Sequence, residues 1–555
     1  MTQAKPLIVQ ADKTILLETS SPTSEAARYS LCRFAELESA AEYMHVFRIT
    51  PISLWNAAAL GFDPADVKIE LGRYSRYPLP ESLLQEIDEI MGRYGRLRLI
   101  SSPIEGELFL DVSDPDLADQ IESFPSACKL LIGRVNETRF RLKEIHRGEI
   151  KWSLTCLGYP VEDFAGFREA QHFPIRLRDP EVFQVRDYQW QAAKHFLGGG
   201  AEHLGHGVVV LPCGAGKTIV GMAVMAQLSQ PTLILVTNNI ACDQWIEELL
   251  EKTDLGPDKV GRYTGAQKQV RPVTVATYHV MSRRKSKDSD RFPHIERLAQ
   301  ERWGLVIYDE VHLLPAPLFR FTAAIQGTRR LGLTATLVRE DGREADVFAL
   351  IGPKRYDIPW KLLEQKQWIA QAYLREVRVP MPGELLSSYY QAPRRKKFRI
   401  AAENPIKKEA VLRLLKRHRG EPTLIIGHFL EQLYQISKLL EAPLITGETS
   451  LSERRKLYDQ FRKGLLEVLV VSRVANFALD LPQATVAIEI SGLYGSRQEE
   501  AQRLGRILRP KDRPAFFYIL VSQDTVEQEF AWHRQRFLAE QGYEYEIIDF
   551  SSVEF

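Results

Sequence analysis

Short apolar runs rich in β-branched residues recur along the chain, and stretches with the apolar spacing of helices separate them. Near the start, alternation of apolar and polar positions over 7–17 predicts a hairpin. Helical spacing follows over 25–37, and Thr50 is predicted to cap another helix. Residues 96–160 mix strand-like and helical patterns. The first part of the chain is therefore predicted to form small α+β units.

From about residue 183 the alternation of strand and helix patterns becomes regular, and it occurs in two series. The first series of predicted strands is Val208–Leu211, Thr232–Val236, Val273–Ala276, Leu305–Tyr308 and Arg330–Leu333. The second series is Thr423–Ile426, Pro443–Ile445, Val468–Val471, Thr485–Ile490 and Ala515–Leu520. Strands that alternate with helices favour a parallel sheet with crossover helices. The sequence therefore predicts an α/β fold with two parallel sheets.

Composition narrows the class of protein. The chain has 555 residues, which is too long for one core, and a formal net charge of +1, so any nucleic-acid surface must be a local patch. Its five cysteines form no C-x-x-C pair, which disfavours a zinc site or a disulfide framework. The N-terminus lacks the pattern of a signal peptide, and no apolar run approaches the roughly 18 residues that span a bilayer. We expect a cytoplasmic protein without membrane partners.

A glycine-rich turn, Gly214-Ala-Gly-Lys-Thr218, lies between a predicted strand and a predicted helix. Its glycines allow the backbone to approach an anion, and the helix N-terminus favours negative charge. Lys217 is suited to the β- and γ-phosphates of a nucleoside triphosphate, and the Thr218 hydroxyl to Mg²⁺. Leu211 stands where the strict phosphate-loop pattern has its first glycine, so a chance glycine turn is the alternative interpretation.

Two adjacent acids end the predicted strand at 305–308. We assign Asp309 to a metal ion and Glu310 to the attacking water, because carboxylates at the carboxyl end of a parallel strand suit these tasks. The alternative is a solvated strand end that caps the next helix.

Two arginines in the second series, Arg506 and Arg509, are three residues apart and would share a helix face. Guanidinium groups there can stabilise charge on a transferring phosphoryl group, although an exposed basic helix is the commoner fate of such a sequence.

Thr334 and Thr336 end another predicted strand and can join a nucleotide site to a bound strand, or simply cap a turn. Gln189 is suited to paired hydrogen bonds with an adenine edge, or is a polar position on an amphipathic helix.

The order of these motifs resembles that of superfamily 2 helicases. In chain order the segments are Arg186-Asp-Tyr-Gln189, Gly214-Ala-Gly-Lys-Thr218, Asp309-Glu-Val-His312, Thr334-Ala-Thr336 and Gln502-Arg-Leu-Gly-Arg-Ile-Leu-Arg509. Further segments resemble the XPB family, namely Arg339-Glu-Asp341, Trp303-Gly-Leu305, Ile351-Gly-Pro-Lys-Arg-Tyr356, Gly495–Gln502, Ser472–Pro482 and His45–Trp55. The resemblance covers nearly the whole chain, and the absence of long tails is similar to prokaryotic members.

The resemblance implies two RecA-like motor domains that use ATP and Mg²⁺. It implies nucleotide contacts by Arg186, Gln189, Cys213, Gly214, Ala215, Gly216, Lys217, Thr218 and Asp480. It implies a catalytic set of Lys217, Asp309, Glu310, His312, Gln502, Arg506 and Arg509, with Thr218 and Asp309 at the metal. Contacts with DNA or a role in strand separation are implied for Thr334, Thr336, Arg339, Glu340, Asp341, Arg394, Arg395, Lys396 and Lys397, and Phe398 is expected to stack on a base.

The resemblance also implies a division of the chain. The expected domains are an N-terminal accessory domain (1–95), a damage-recognition-like domain (96–165), a linker (166–182), helicase domain 1 (183–355), a thumb-like basic element (356–420) and helicase domain 2 (421–555).

The implied function is that of an ATP-dependent DNA helicase or translocase of 3′→5′ polarity in DNA repair, acting on single-stranded and forked DNA without sequence preference. Two alternatives stay open. The motor could translocate on double-stranded DNA with little unwinding, or it could act as an ATP-gated clamp that positions a nuclease or repair partner.

Overall fold

The computed structural model describes residues 5–40, 43–178, 183–198, 205–212, 214–284, 292–335, 337, 342–358, 360–368, 370–472, 484–491, 513–532, 543 and 545–553. These residues contain four sheets, two of which are seven-stranded and parallel throughout. The two smaller sheets precede them in the chain and are mainly antiparallel. The predicted fold class is confirmed.

The N-terminal unit packs four helices with an antiparallel sheet of order β1-β2-β4-β3. Its elements are β1 (Leu7–Val9), β2 (Thr14–Glu18), α1 (Ser24–Leu31), β3 (Glu36–Ala40), β4 (Met44–Arg48), α2 (Pro51–Ala59), α3 (Pro64–Tyr74) and α4 (Glu81–Gly92). The predicted hairpin is confirmed, and Lys13 turns it in a left-handed conformation with φ 73°. The helix predicted over 25–37 is wrong beyond Leu31, because the chain from Glu36 pairs with β4.

The second accessory unit has a five-stranded sheet of order β7-β8-β6-β5-β9. Its elements are β5 (Leu97–Ser101), β6 (Glu107–Val112), α5 (Pro115–Ser123), α6 (Pro125–Cys128), β7 (Leu131–Asn136), β8 (Arg139–Lys143), α7 (Arg147–Cys156) and β9 (Val161–Asp163). Residues 164–178 then cross to the first parallel sheet without a helix or strand.

The first parallel sheet has the order β12-β13-β11-β14-β15-β10-β16, with helices on both faces. Its elements are α8 (Asp187–Leu197), β10 (His206–Val210), α9 (Lys217–Leu228), β11 (Thr232–Val236), α10 (Asn239–Lys252), β12 (Val260–Tyr263), β13 (Val273–Thr277), α11 (Tyr278–Met281), α12 (Pro293–Ala299), β14 (Leu305–Asp309), α13 (Ala316–Ala324), β15 (Arg329–Thr334), α14 (Glu344–Leu350) and β16 (Lys354–Asp357). All five predicted strands are present. Because β10, β15 and β14 are neighbours, the residues after their carboxyl ends meet at one edge.

The second parallel sheet has the order β19-β20-β18-β21-β22-β17-β23. Its elements are α15 (Trp360–Gln365), β17 (Ala372–Val379), α16 (Gly383–Gln391), α17 (Arg394–Ala402), α18 (Ile406–Arg417), β18 (Thr423–Gly427), α19 (Leu430–Leu440), β19 (Leu444–Ile445), α20 (Leu451–Arg462), β20 (Val468–Ser472), β21 (Val486–Glu489), β22 (Ala515–Ser522) and β23 (Tyr545–Asp549). The strand β17 comes from the range 356–420, so this range supplies part of the second sheet as well as the basic helices.

Both accessory units contact the first parallel sheet unit. The amide oxygen of Asn56 accepts a hydrogen bond of 2.9 Å from the backbone N–H of Lys354, and the rings of Trp55 and Phe348 lie 5.9 Å apart. The second accessory unit docks through α7, which packs on α13 and α14. Both accessory units therefore contact α14, through α2 and α7.

Candidate active site

The glycine-rich turn joins β10 to the N-terminus of α9. Gly214 and Gly216 have φ values of 82° and 80°, in the left-handed region that favours glycine. A Cβ at Gly216 would lie 2.4 Å from Nε2 of Gln189, so this position also requires the small residue. The N-cap residue of α9 is Gly216 itself, which has no side chain to cap the helix. The start of this helix therefore fits an anion such as a nucleotide phosphate.

The helix α8 supports this turn from behind. The Tyr188 hydroxyl and the Gln189 side-chain N–H both donate to the backbone oxygen of Ala215, at 2.6 and 2.9 Å. The other amide atom of Gln189, Oε1, accepts from the backbone N–H of Arg186 at 2.9 Å. Both ends of the Gln189 amide are thus already hydrogen-bonded within the protein, and its pairing with an adenine edge stays a prediction. The sequence did not indicate the contact made by Tyr188.

The two predicted carboxylates lie opposite the turn. Asp309 is the last residue of β14, and Oδ2 of this residue accepts a hydrogen bond of 2.9 Å from the indole N–H of Trp245. Glu310 follows with a φ of 50°, an uncommon conformation for a residue with a side chain and one that occurs at functional sites. Its Oε1 lies 3.2 Å from Nζ of Lys217. The structure thus brings together three predicted residues from distant positions of the sequence.

The electrostatics of the two carboxylates differ. Burial, and then the charge of Glu310, raise the pKa of Asp309 to about 6, and the hydrogen bond from Trp245 opposes this rise. Burial also pushes the pKa of Glu310 upward, but the Lys217 ammonium and His312 outweigh it and hold that pKa below its ordinary value. Glu310 is therefore the firmly ionised partner. A divalent cation would favour the ionised form of Asp309, and the hydroxyl of Thr218 and the carboxylate of Asp309 supply oxygens of the type that Mg²⁺ prefers.

His312 connects the carboxylates to the end of β15. Its Nδ1 lies 2.6 Å from the hydroxyl oxygen of Thr334 and 3.6 Å from Oε2 of Glu310. Thr334 is fully buried, and its backbone oxygen accepts from the N–H of Leu211 at 2.9 Å. In this arrangement Thr334 cannot contact DNA directly, because it is fully buried and its hydroxyl faces His312.

The basic helix α17 presents three exposed cations in its first turn, Arg394, Arg395 and Lys396. The Lys397 ammonium lies 5.2 Å from the ring centre of Tyr389. The expectation that Phe398 stacks on a base is wrong, because only 4% of this residue is exposed. Its ring packs against Phe429 and Phe530, with centroids 5.7 and 5.3 Å away.

Nine predicted site residues lie outside the described residues, and their roles stay predictions. They are Cys213, Thr336, Arg339, Glu340, Asp341, Asp480, Gln502, Arg506 and Arg509.

Helices long and apolar enough to cross a membrane are not found in the described parts of the chain.

Three family models match the chain. The models are "ERCC3/RAD25/XPB C-terminal helicase" over residues 363–553, "Type III restriction enzyme, res subunit" over 182–339, and "Helicase conserved C-terminal domain" over 7–136. A solved structure, the helicase domain of Pyrococcus furiosus Hef, aligns with 65% of this chain and 100% of that chain at a TM-score of 0.44 and 14% identity.

Curated relatives match almost the full length. The chain is 49% identical to the DNA 3′-5′ helicase XPB of Kineococcus radiotolerans, over 99% of this chain and 97% of that protein. It is also 49% identical to the protein of the same name in Mycobacterium tuberculosis, over 98% of both. It is 31% identical to the factor IIH helicase/translocase subunit XPB/SSL2 of Saccharomyces cerevisiae, over 98% of this chain and 72% of that protein.

A glycine-rich turn that fits a phosphate, carboxylates that face it at a strand end and two parallel sheets agree with the class that the family models name, the helicase motor proteins. Within that class, the chain belongs to the XPB family of DNA helicases.

Proposed function

We propose that this protein is an ATP-dependent DNA helicase or translocase that moves 3′→5′ and separates strands during DNA repair. The observation that carries the proposal is the contact between Lys217 and Glu310 beside Asp309. This arrangement suits nucleotide hydrolysis, and the names of the two prokaryotic relatives supply the DNA substrate and the polarity.

Each residue at the carboxyl edge has a task in this proposal. Bound ATP·Mg²⁺ supplies the phosphoryl group and a Lewis-acidic cation. Lys217 and the N-terminus of α9 hold the phosphates, while Thr218 and Asp309 hold the cation. Glu310 orients the attacking water, and its lowered pKa keeps it ionised as an acceptor. His312 fixes the orientation of Glu310 and links it to Thr334.

The second motor domain contributes Arg506 and Arg509, with Gln502, to the far side of the nucleotide. A link between both domains through one ligand draws them together, and hydrolysis removes that link. The cations of α17 are proposed to grip the DNA backbone. Because these contacts are made with phosphates and not with bases, movement of the protein along DNA is largely independent of the DNA sequence.

We also propose a nuclease or repair protein as partner. The Saccharomyces relative is named a subunit of a larger factor, which supports an assembly role for family members.

The variant Lys217→Ala tests the site. DNA-stimulated ATP hydrolysis should fall by about 10³-fold or more, because the phosphates lose their cation. Lys259→Ala, an exposed lysine of the same unit, is the matched control and should keep full turnover. Unchanged hydrolysis in the Lys217 variant would remove the site assignment.

Substrate choice tests the mode of action. Unwinding of 3′-tailed but not 5′-tailed or blunt duplexes is expected of the helicase. Triplex displacement without unwinding would favour the double-stranded translocase instead. ATP hydrolysis stimulated by a partner but not by DNA would favour the clamp.

A further inference from the structure

The helix α7 of the second accessory unit touches the first motor unit at separate points. At Gly148, a Cβ would lie 2.5 Å from the backbone oxygen of Ala323, so the backbone of α7 lies directly against the end of α13. One turn later the indole N–H of Trp152 donates to Oδ1 of Asp346 in α14, at 2.7 Å. These contacts fix α7 against two elements that follow the candidate site in the chain.

Between these points lies Lys151, which is 3% exposed. Its ammonium group lies 3.0 Å from Oδ2 of Asp163 and donates to the side-chain oxygen of Gln326 at 3.0 Å. Arg147 also pairs with Asp163, at 2.7 Å, and its other hydrogen bond goes to the backbone oxygen of Gly166, which precedes the motor unit in the chain. Lys151 is therefore the member of this buried cluster that reaches into the motor unit.

From Gln326 a series of hydrogen bonds leads to the catalytic edge. The Gln326 side-chain N–H donates to the backbone oxygen of Thr322 at 2.6 Å. The hydroxyls of Thr322 and Tyr308 lie 2.9 Å apart, and both residues are fully buried. Tyr308 directly precedes Asp309 on β14. A buried, fully bonded series of this kind has few alternative arrangements, so it can transmit a displacement.

We infer that α7 is a positioning element of the ATPase site, in which Lys151 acts through Gln326 and Thr322 to fix the strand end that carries Asp309 and Glu310. The inference rests on the proposed function and adds to it. It gives the accessory unit a part in hydrolysis.

A double-mutant cycle on DNA-stimulated ATP hydrolysis tests this inference. Lys151→Met and Gln326→Met each remove one side of the contact, and each should lower kcat about fivefold with the KM for ATP unchanged. The double variant should be no slower than either single variant, because both substitutions break the same link. Arg147→Met is the matched control, since it disrupts the same ion cluster but keeps Lys151 on Gln326. It should lower the melting temperature without lowering kcat.

Tyr308→Phe removes only a hydroxyl at the far end of the series, so it decides the question even where Lys151→Met fails to fold. It should reproduce the loss in kcat. Multiplicative losses in the double variant, an unchanged kcat, or an equal loss in Arg147→Met would overturn the inference. These outcomes differ from a failure of the proposed function, in which the unsubstituted protein would lack DNA-stimulated hydrolysis.

Discussion

At the scale of single residues, the contact between Trp245 and Asp309 opposes the larger effects of burial and of Glu310 on the ionisation of Asp309. Burial destabilises the ionised carboxylate, and the indole N–H of Trp245 stabilises it. A buried indole N–H requires an acceptor. The sequence does not show which residue supplies it, because the two residues belong to different elements and meet only after folding.

The substitution Trp245→Phe should therefore raise the pKa of Asp309 above about 6. Protonation would then compete with Mg²⁺ at higher pH, so the acid limb of the ATPase pH profile moves upward and more Mg²⁺ is needed for half-maximal turnover. Trp303→Phe is the control, because its indole N–H also donates within the same unit, to the backbone oxygen of Leu298. An acid limb that stays in place in Trp245→Phe would contradict this reasoning.

Residues adjacent in sequence were easier to predict than residues that meet across the fold. The turn at 214–218 and the acids Asp309 and Glu310 each follow a strand recognisable from its apolar run, so local pattern was enough. The supports of this site, Tyr188 and Trp245, depend on where helices pack, and no local pattern specifies that. For Phe398, the basic neighbours suggested exposure, whereas the period of α17 turns its ring inward.

At the scale of elements, the strands missed in the two parallel sheets lie at or next to a sheet edge, although the edge strand β19 was predicted. The predicted strands β11, β13, β14, β18 and β20 consist mostly of buried residues. The missed strands β12, β16 and β23 lie at edges, and β17 is second from an edge. Charged residues such as Arg375 and Arg378 interrupt the apolar run of β17, so its pairing depends on neighbours that the sequence does not reveal.

The exposed face of α17 gives a prediction at this scale. Replacing Arg394, Arg395 and Lys396 by alanine should weaken binding of single-stranded DNA and reduce the slope of log K against log salt by about two, as three phosphate contacts are lost. Arg455→Ala with Lys456→Ala, on the exposed face of α20, is the matched control. The measurement is a salt titration of binding to oligonucleotides of different sequence. An unaltered slope would mean that α17 does not contact phosphates.

At the scale of the whole molecule, both accessory units pack against the first motor unit. The interface at α7 buries Arg147 and Lys151 with the single carboxylate Asp163. Burial lowers the pKa of Lys151 to about 8, and Asp163 only partly opposes this effect. The folded protein therefore binds the Lys151 proton more weakly than the unfolded chain does.

Stability should depend on pH in a defined window. Between pH 8 and 10.5 the unfolded state holds the Lys151 proton while the folded state has released it, so the free energy of unfolding rises with pH. Urea denaturation at several pH values in this window measures the effect. Lys151→Met lacks the titrating group. The urea midpoint of the unsubstituted protein, measured relative to that of Lys151→Met, should therefore rise with pH. A constant difference would show that Lys151 keeps an ordinary pKa.

The support of the phosphate turn by α8 has a thermodynamic consequence. Two donors, from Tyr188 and Gln189, converge on the Ala215 carbonyl, and the missing side chain of Gly216 lets Gln189 approach. The conformational entropy of this turn is therefore lost during folding and not at the moment of ligand capture. A turn that is preorganised in this way can release one nucleotide and bind the next without refolding. This property suits an ATPase cycle that repeats at every step along DNA.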